Sequence, residues 1–331
     1  MTPAIKTVGL TRRYGRIVAL DNLSLSVAQG SIYGFIGPNG AGKTTTLRLL
    51  AGLLEPSSGE IELMGQRQGN AQRLVGYMPD VSGVYDDLRV WEYLDFFARC
   101  YGMGSAQRRR TVSDLLDLVD LGAKRDSFVQ SLSRGMQQRL SLAHALVHNP
   151  PVLLLDEPAS GLDPRGRVEL RELLRTLRDL GKTVLLSSHI LSELAEVCTE
   201  IGIIESGRMV VSGPVDVVRQ QLQAGAKLRI RVMGDVSSAA GVLQDLIVAS
   251  DGETGERVSP AVNNRPAGLP ALRSLRIDPI DQRAILVEAT ALDEHQQAAL
   301  LAHLLAKGVA VSEFRAQAEN LEELFLRLTA A

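Results

Sequence analysis

The strongest chemical signal in the sequence is a glycine-rich loop at residues 37–44, with the sequence GPNGAGKT. It lies between an apolar run that ends at Ile36 and a helical pattern containing Leu47 and Leu50. Glycines let successive backbone N–H groups converge on one anion, and the following helix adds the positive end of its dipole. In such loops the lysine reaches the β- and γ-phosphates and the hydroxyl binds Mg²⁺. The alternative, an ordinary glycine turn, does not account for this order of strand, loop and helix. We therefore predict a nucleoside triphosphate site made by Gly37, Asn39, Gly40, Gly42, Lys43, Thr44 and Thr45, with Thr44 also a ligand of Mg²⁺.

Two acidic residues, Asp156 and Glu157, directly follow the apolar run Val152–Leu155. The carboxyl end of a buried parallel strand is where α/β sheets hold ligands. An aspartate there suits Mg²⁺, and a neighbouring glutamate can polarise the water that attacks a γ-phosphate. Taken alone, such a pair is more often a helix cap or a solvated turn. Together with the loop at 37–44, it predicts Asp156 as a metal ligand and Glu157 as the catalytic base.

A third segment, residues 132–139, has the sequence LSRGMQQR. In this order and spacing, the three segments resemble the ATP-binding cassette family, and the resemblance runs from about residue 4 to residue 220. The family implies a P-loop ATPase that uses ATP and Mg²⁺ and forms a head-to-tail dimer around two ATP molecules. By this resemblance Ser133, Gly135 and Met136 contact the nucleotide of the partner subunit. A helix that begins near Arg134 would also aim its N–H groups at an anion.

The resemblance extends to single residues that carry little information alone. Tyr14 is similar to the aromatic residue that stacks on adenine, and Asp163 to the acidic residue that communicates across the dimer. His189 is similar to the switch histidine, which the family implies to be catalytic and close to the γ-phosphate. A lone tyrosine in a turn or a lone histidine after a strand is more often structural. Their offsets from the other segments support the functional roles.

Two places depart from the family pattern. Residues 76–80, GYMPD, resemble the loop that couples the nucleotide to the membrane subunit, but Asp80 replaces the usual glutamine. A carboxylate binds Mg²⁺ yet cannot donate a hydrogen bond, so Asp80 is a coupling-loop residue and a candidate Mg²⁺ ligand. Arg134 and Met136 replace the commoner glycine and glutamine, a variation that resembles one branch of exporters. Near Asp80, the aromatic-rich segment 86–101 is expected to contact the membrane subunit or to form the core of a helical lobe.

These residues must be positioned by an α/β domain over residues 1–222. Apolar residues at helical spacing between about 88 and 148 predict an inserted helical lobe. From residue 152 onward, strands alternate with helices, which indicates a largely parallel sheet with crossover helices. The predicted elements there are Val152–Leu155, Arg167–Leu180, Thr183–Ser187, Ile190–Val197 and Ile201–Ile204.

A change of composition near residues 220–226 predicts a small α+β accessory domain over 226–331. Residues 250–270 lack an apolar period and are expected to form a mobile loop. Strands are expected at Lys227–Val232 and Ala284–Val287, and a helix at Asp293–Ala306. The helical pattern at 319–328 resembles the terminal helix of bacterial drug- and antibiotic-exporter cassettes, although it could equally pack on the small sheet of its own domain.

Composition narrows the choice of partners. The net charge of -2 gives no basic excess, so no nucleic acid is expected. No apolar run approaches the roughly 18 residues that span a bilayer, and residues 1–10 lack the apolar region of a secretory signal. Cys100 and Cys198 are too few for a zinc or disulfide framework, and we expect the pair His144 and His148 to have a packing or surface role.

The expected protein is cytoplasmic and peripheral on the inner face of the membrane. Its expected partners are a second copy or a paired cassette, which forms the dimer, and separate integral membrane permease subunits.

Two other classes of ATPase fit the sequence less well. A cassette ATPase acting as an ATP-gated clamp on ribosomes or DNA usually has two cassettes or a long coiled-coil insertion, and this sequence has neither. A P-loop kinase or unrelated NTPase would lack the segment around Ser133.

Overall fold

The structure is a computed structural model that describes residues 2–67, 72–80, 83, 85, 87–190, 194, 196–222, 226–247, 269–270, 272–278, 281–289 and 294–317. Its contacts divide the chain into two compact units, Met1–Val218 and Arg219–Ala331. The predicted mobile loop at 250–270 lies outside the described residues except at its last two positions. The predicted helix at 319–328 lies wholly outside them, and half of the residues of the predicted helix Ile190–Val197 do as well.

The first unit begins with strands and a phosphate-loop helix and then adds a group of helices before returning to strands. Its strands are β1 Ile5–Tyr14, β2 Ile17–Val27, β3 Ile32–Ile36, β4 Ser58–Leu63, β5 Gln66–Arg67, β6 Val75–Met78, β7 Val152–Leu155, β8 Thr183–Ser188, β9 Glu200–Glu205 and β10 Arg208–Pro214. Its helices are α1 Lys43–Leu50, α2 Val90–Cys100, α3 Ser105–Leu118, α4 Arg134–Leu146 and α5 Pro164–Asp179, and α6 Val215–Leu222 follows at its end. Short 3-10 helices occur at Gln72–Leu74, Gly122–Lys124 and Val129–Ser131.

A six-stranded sheet in the order β10-β9-β3-β8-β7-β6 forms the centre of this unit. The pairs β9–β3, β3–β8, β8–β7 and β7–β6 are parallel, and only β10 pairs antiparallel. Every residue of β3, β7 and β8 is buried, as expected for parallel strands covered on both faces. The parallel sheet that the alternation of strands and helices predicts is therefore confirmed. Its carboxyl edge brings the ends of β3, β7 and β8 side by side.

A second sheet of the first unit, in the order β2-β1-β4-β5, is antiparallel. It shares a core with the central sheet, because Leu10, Leu25 and Ile61 belong to the same buried cluster as Phe35 and Leu154.

The helical segment contains α2, α3 and α4. Gly76 on β6 lets α4 approach closely, since an added Cβ would lie 2.9 Å from Pro150 Cγ and nearer still to the backbone oxygen of Ala145. Inside the segment, the Phe97 ring stacks on His144 with centroids 3.8 Å apart, and Tyr101 stacks on His148 at 4.2 Å. The two histidines are therefore packing residues, and no metal-binding group of three such ligands occurs in the described part of the chain.

The second unit has strands β11 Ala226–Val232, β12 Leu272–Ile277, β13 Ala284–Ala289 and β14 Val311–Gln317, with helices α7 Val236–Gln244 and α8 Glu294–Ala306. Its antiparallel sheet has the order β12-β13-β11-β14. This is the βαββαβ arrangement of ferredoxin-like folds, with its own core that includes Ile230, Leu243, Val287 and Leu300. The predicted fold class, a P-loop α/β domain with a helical lobe plus a small α+β domain, is confirmed. No helix among the described residues is both long enough and apolar enough to cross a bilayer.

Candidate functional site

The glycine-rich loop joins β3 to α1 at the carboxyl edge of the parallel sheet. Gly37 must be a glycine, because an added Cβ would lie 2.9 Å from Ile204 Cγ2 and closer to the Ile204 carbonyl oxygen. Gly42, with φ of 108°, precedes the first residue of α1, and no side chain caps that helix start. The first N–H groups of α1 are thus directed toward the loop, where they suit an anion.

Lys43 is the buried cation of this loop. Its side chain is 6% exposed, and Nζ donates hydrogen bonds to the backbone oxygens of Gly37 at 2.6 Å and Pro38 at 3.3 Å. Nζ also lies 3.3 Å from Glu157 Oε1. The loop and the acidic pair therefore belong to one site.

A cavity of about 190 Å³ opens over this loop. Its lining residues are Ala19, Pro38, Asn39, Gly40, Gly42, Lys43, Thr44, Thr45, Asp80 and Glu157. Except for Gly37, the residues that the sequence predicts to bind phosphate all line this cavity, and Gly37 accepts the hydrogen bond from Lys43.

The acidic pair follows β7 as predicted. Asp156 is 1% exposed and accepts a hydrogen bond at Oδ1 from Ser187 Oγ at 2.7 Å. Glu157 has a φ of 47°, a left-handed conformation that is unfavourable for a residue with a long side chain. This turn directs the Glu157 carboxylate to the loop cavity, where its buried Oε1 has the Lys43 ammonium as its ion-pair partner.

His189 lies beside Glu157, because β8 is the parallel neighbour of β7. His189 Nδ1 is 2.9 Å from Glu157 Oε2. Ser187, on the same strand, is a site residue that the sequence analysis missed. Its Oγ donates to Asp156 and accepts from Glu157 N at 2.9 Å.

Asp80 enters the same cavity from the end of β6. Burial raises the pKa of the Asp80 carboxyl, and the neighbouring carboxylates of Asp156 and Glu157 raise it further, while the charges of Arg134 and His189 oppose them. The resulting pKa is above the ordinary value of an aspartate. The carboxylates of Asp80 and Glu157 thus line one cavity, and that of Asp156 is near enough to act on Asp80, which is the environment that a divalent cation neutralises.

The oxygen donors present fit Mg²⁺. Asp156, Asp80 and the Thr44 hydroxyl offer hard ligands, which Mg²⁺ prefers, and the first two bring negative charge. The N–H groups at the start of α1 and the Lys43 ammonium fit a polyphosphate tail.

The segment around Ser133 forms the start of α4 rather than part of this cavity. Ser133 is exposed, caps α4, and accepts a hydrogen bond at Oγ from Met136 N at 3.4 Å. Gly135 packs against Leu162, whose Cδ2 would lie 3.2 Å from an added Cβ. Neither Ser133 nor Gly135 is among the residues that line the cavity over the chain's own phosphate loop.

Tyr14 and Asp163 also lie outside the cavity lining. Tyr14 ends β1 with its ring 43% exposed and the Arg12 guanidinium 4.6 Å from its centroid. Asp163 caps α5, with Oδ1 accepting from Gly166 N at 2.7 Å. Capping explains the geometry of Asp163 without any partner, so its predicted role across a dimer remains a prediction.

Comparison with known proteins agrees with the geometry. Residues 20–160 match the ABC transporter family. The chain is 39% identical over 239 residues to Nod factor export ATP-binding protein I of Ralstonia nicotianae, covering 71% of this chain and 74% of that protein. It is 39% identical over 226 residues to bacitracin transport ATP-binding protein BcrA of Bacillus licheniformis, covering 67% and 73%. Among solved structures it is similar to dimeric MJ0796, a bacterial ABC transporter cassette, with a TM-score of 0.59 and 26% identity over 64% of this chain and 98% of the other.

Proposed function

Because the chain belongs to the ABC transporter family and is an ATP-binding ATPase of that family, we propose that it hydrolyses Mg·ATP in a dimer to drive export through separate membrane subunits. The observation that carries this proposal is the contact between Lys43 of the loop and Glu157 of the acidic pair. This contact means that a phosphate-binding cation and a candidate base line the same cavity.

The chemistry follows from the positions of four side chains. Lys43 and the N–H groups of α1 bind the β- and γ-phosphates of the substrate ATP. Glu157 accepts the proton of the attacking water, and His189, bonded to Glu157 Oε2, orients that carboxylate. The Ser187 hydroxyl hydrogen-bonds both the Asp156 carboxylate and the Glu157 backbone N–H, and so fixes their relative positions. Mg²⁺, when bound by Thr44, Asp156 and Asp80, supplies the charge that neutralises the phosphate oxygens.

The dimer is proposed from the residues that do not face the chain's own loop. Ser133, Gly135 and Met136 form an exposed or half-buried helix start, which suits an anion brought by another subunit. Asp163 would lie at the same interface, and Tyr14 would stack on adenine. Support comes from MJ0796, which is described as a dimeric cassette.

Contact with a membrane permease is proposed at the aromatic residues next to Asp80. Tyr93 is 2% exposed and packs edge-on against Phe97 with centroids 5.0 Å apart, so it belongs to the lobe core. Tyr85 and Phe96 are exposed and contact each other at 5.9 Å. Tyr85 and Phe96, together with the exposed Tyr101, rather than the whole aromatic segment, form the surface open to a partner. Export as the direction, and a location on the inner face of the membrane, are proposed from the relatives' names.

The test uses Glu157→Gln in the full chain, with the exposed Glu55→Gln as control. Loss of the base lowers ATP turnover by roughly 100-fold or more, while ATP binding persists and a stable ATP-bound dimer accumulates. Near-normal hydrolysis by Glu157→Gln would remove Glu157 from the mechanism. Co-purification tests the partner: a polytopic membrane protein supports export, whereas ribosomes or DNA favour the clamp alternative.

A further inference from the structure

The guanidinium of Arg134 packs against Gly161. A Cβ added to Gly161 would lie 2.6 Å from Arg134 Nε and 2.7 Å from Nη1, so a larger residue there would displace the guanidinium from this position. The φ of Gly161 is 71°, which also favours glycine. Arg134 is the first residue of α4, directly after Ser133.

Two more residues at the start of α4 contact the residues on either side of Gly161. Gln138, one helical turn after Arg134, donates a hydrogen bond from Nε2 to the Ser160 oxygen at 2.6 Å. Gly135 packs against Leu162. One face of the first turns of α4 thus contacts three consecutive residues of the turn, 160–162.

This turn connects the candidate base to the start of α5. Ser160 N donates to the Glu157 oxygen at 3.0 Å, and Asp163 then caps α5. The helix start that faces a partner's nucleotide is therefore linked, within one chain, to the residues around the chain's own nucleotide.

We propose that Arg134 and Gly161 form a clasp that couples the two nucleotide sites of the dimer, with Arg134 as a positioning residue. The clasp makes the turn after Glu157 move together with Ser133 and Gly135. Binding at one site then orders the surface presented to the other site. The inference rests on the proposed dimer.

The test compares Arg134→Ala with Arg110→Ala, an exposed arginine of α3, both in the Glu157→Gln full chain. Arg134→Ala raises the ATP concentration for half-maximal dimerisation by about tenfold, while the affinity of the monomeric chain for ATP changes less than about twofold, because the loop is untouched. In chains that retain Glu157, Arg134→Ala also lowers the Hill coefficient of ATP hydrolysis toward one. Arg110→Ala changes none of these quantities.

A double-mutant cycle separates the clasp from a general loss of stability. Gly161→Ala places a methyl group in the guanidinium's position, so it weakens dimerisation strongly when Arg134 is present and by several-fold less in the Arg134→Ala chain. Arg134→Lys keeps the charge but not the planar group and restores dimerisation only in part. Thermal unfolding of each variant checks that the fold is retained.

The outcomes are distinct. If the Glu157→Gln parent does not dimerise at any ATP concentration, the proposed dimer fails and the clasp fails with it. If the parent dimerises but Arg134→Ala matches Arg110→Ala, or the cycle is additive, the clasp alone is overturned.

Discussion

At the scale of single residues, the site is defined by a balance of charge. The carboxylates of Asp80 and Glu157 line one cavity with the Lys43 ammonium, and the carboxylate of Asp156 lies close enough to act on Asp80. Glu157 is also held in a left-handed backbone conformation, between a bond to Ser187 and one to His189. A residue kept in such a conformation costs about 1–3 kcal/mol, which the surrounding contacts must offset. We infer that the strain serves to aim the carboxylate at the cavity.

The unusual residue of the site, Asp80, makes a specific prediction about metal dependence. Asp80→Asn removes one of the three carboxylates at constant length. If Asp80 helps to bind Mg²⁺, the variant needs roughly tenfold more Mg²⁺ for half-maximal ATP retention. Without Mg²⁺ the variant binds ATP more tightly, because less negative charge opposes the triphosphate. Titration of nucleotide binding against Mg²⁺ measures both effects, and an unchanged Mg²⁺ midpoint would leave Asp80 only a coupling-loop role.

Sequence patterns located most of this site but not its supporting contacts. The loop and the acidic pair are contiguous in sequence, so their spacing predicts them directly. Ser187, Gln138 and Gly161 act through contacts between residues far apart in sequence, for which a lone serine, glutamine or glycine gives no local signal. Arg134 was noticed only as a departure from the family pattern, because its contact with Gly161 depends on the turn after β7.

At the scale of elements, the packing of α2 against α4 is held by stacked rings. His144 on α4 contacts Phe97 and Tyr93 of α2. Burial and, to a smaller extent, the charge of His148 lower the pKa of His144 to about 4. The neutral ring is therefore the form that packs in this lobe.

This pKa predicts how the lobe responds to acid. In the unfolded chain His144 binds a proton near pH 6.5, and in the folded chain only near pH 4. Between these values the unfolded state holds more protons, so stability is full above pH 6.5 and is lost as the pH falls toward 4. At pH 5 the loss from His144 is about 2 kcal/mol.

His144→Phe keeps an aromatic ring and should reduce the destabilisation between pH 8 and pH 5, whereas His295→Phe, an exposed histidine of the second unit, should not. Urea unfolding followed by the fluorescence of Trp91, the one tryptophan of the chain, reports on this lobe. Equal pH dependence in His144→Phe and the unchanged chain would show that His144 titrates normally.

The sequence predicts short strands within residues 1–36, such as Leu23–Val27, but not the full length of β1 and β2. The pairing of β1 with β2 contains several register shifts, which break the alternation that identifies a long strand. Helix α7 is built from serine, alanine, glycine and valine, which give little helical periodicity. By contrast, β7 and β8 are continuous apolar runs because both of their faces are covered, and the sequence predicted them within about one residue.

At the scale of the whole molecule, two units with separate cores make a modular protein. All residues of the nucleotide site belong to the first unit, Met1–Val218. The second unit is built on its own sheet and core. We hypothesise that it stabilises the dimer or regulates it.

Removal of residues 223–331 tests this division. The remaining chain should bind ATP with unchanged affinity, because its core is complete, but should require more ATP to dimerise. Sedimentation at increasing ATP, with the full chain as reference, measures the difference. Unchanged dimerisation and ATPase activity after the truncation would dispose of a role for the second unit in either process.

The account depends first on the gathering of backbone amides, the Lys43 ammonium and a divalent cation around a triphosphate. Its most direct test is equilibrium binding of ATP to the purified full chain with Mg²⁺, beside Lys43→Ala and the surface variant Lys6→Ala. We predict saturable binding by the unchanged chain and by Lys6→Ala, and an affinity lower by roughly 10- to 100-fold in Lys43→Ala. No detectable binding by the unchanged chain, or equal affinity in Lys43→Ala, would contradict the account.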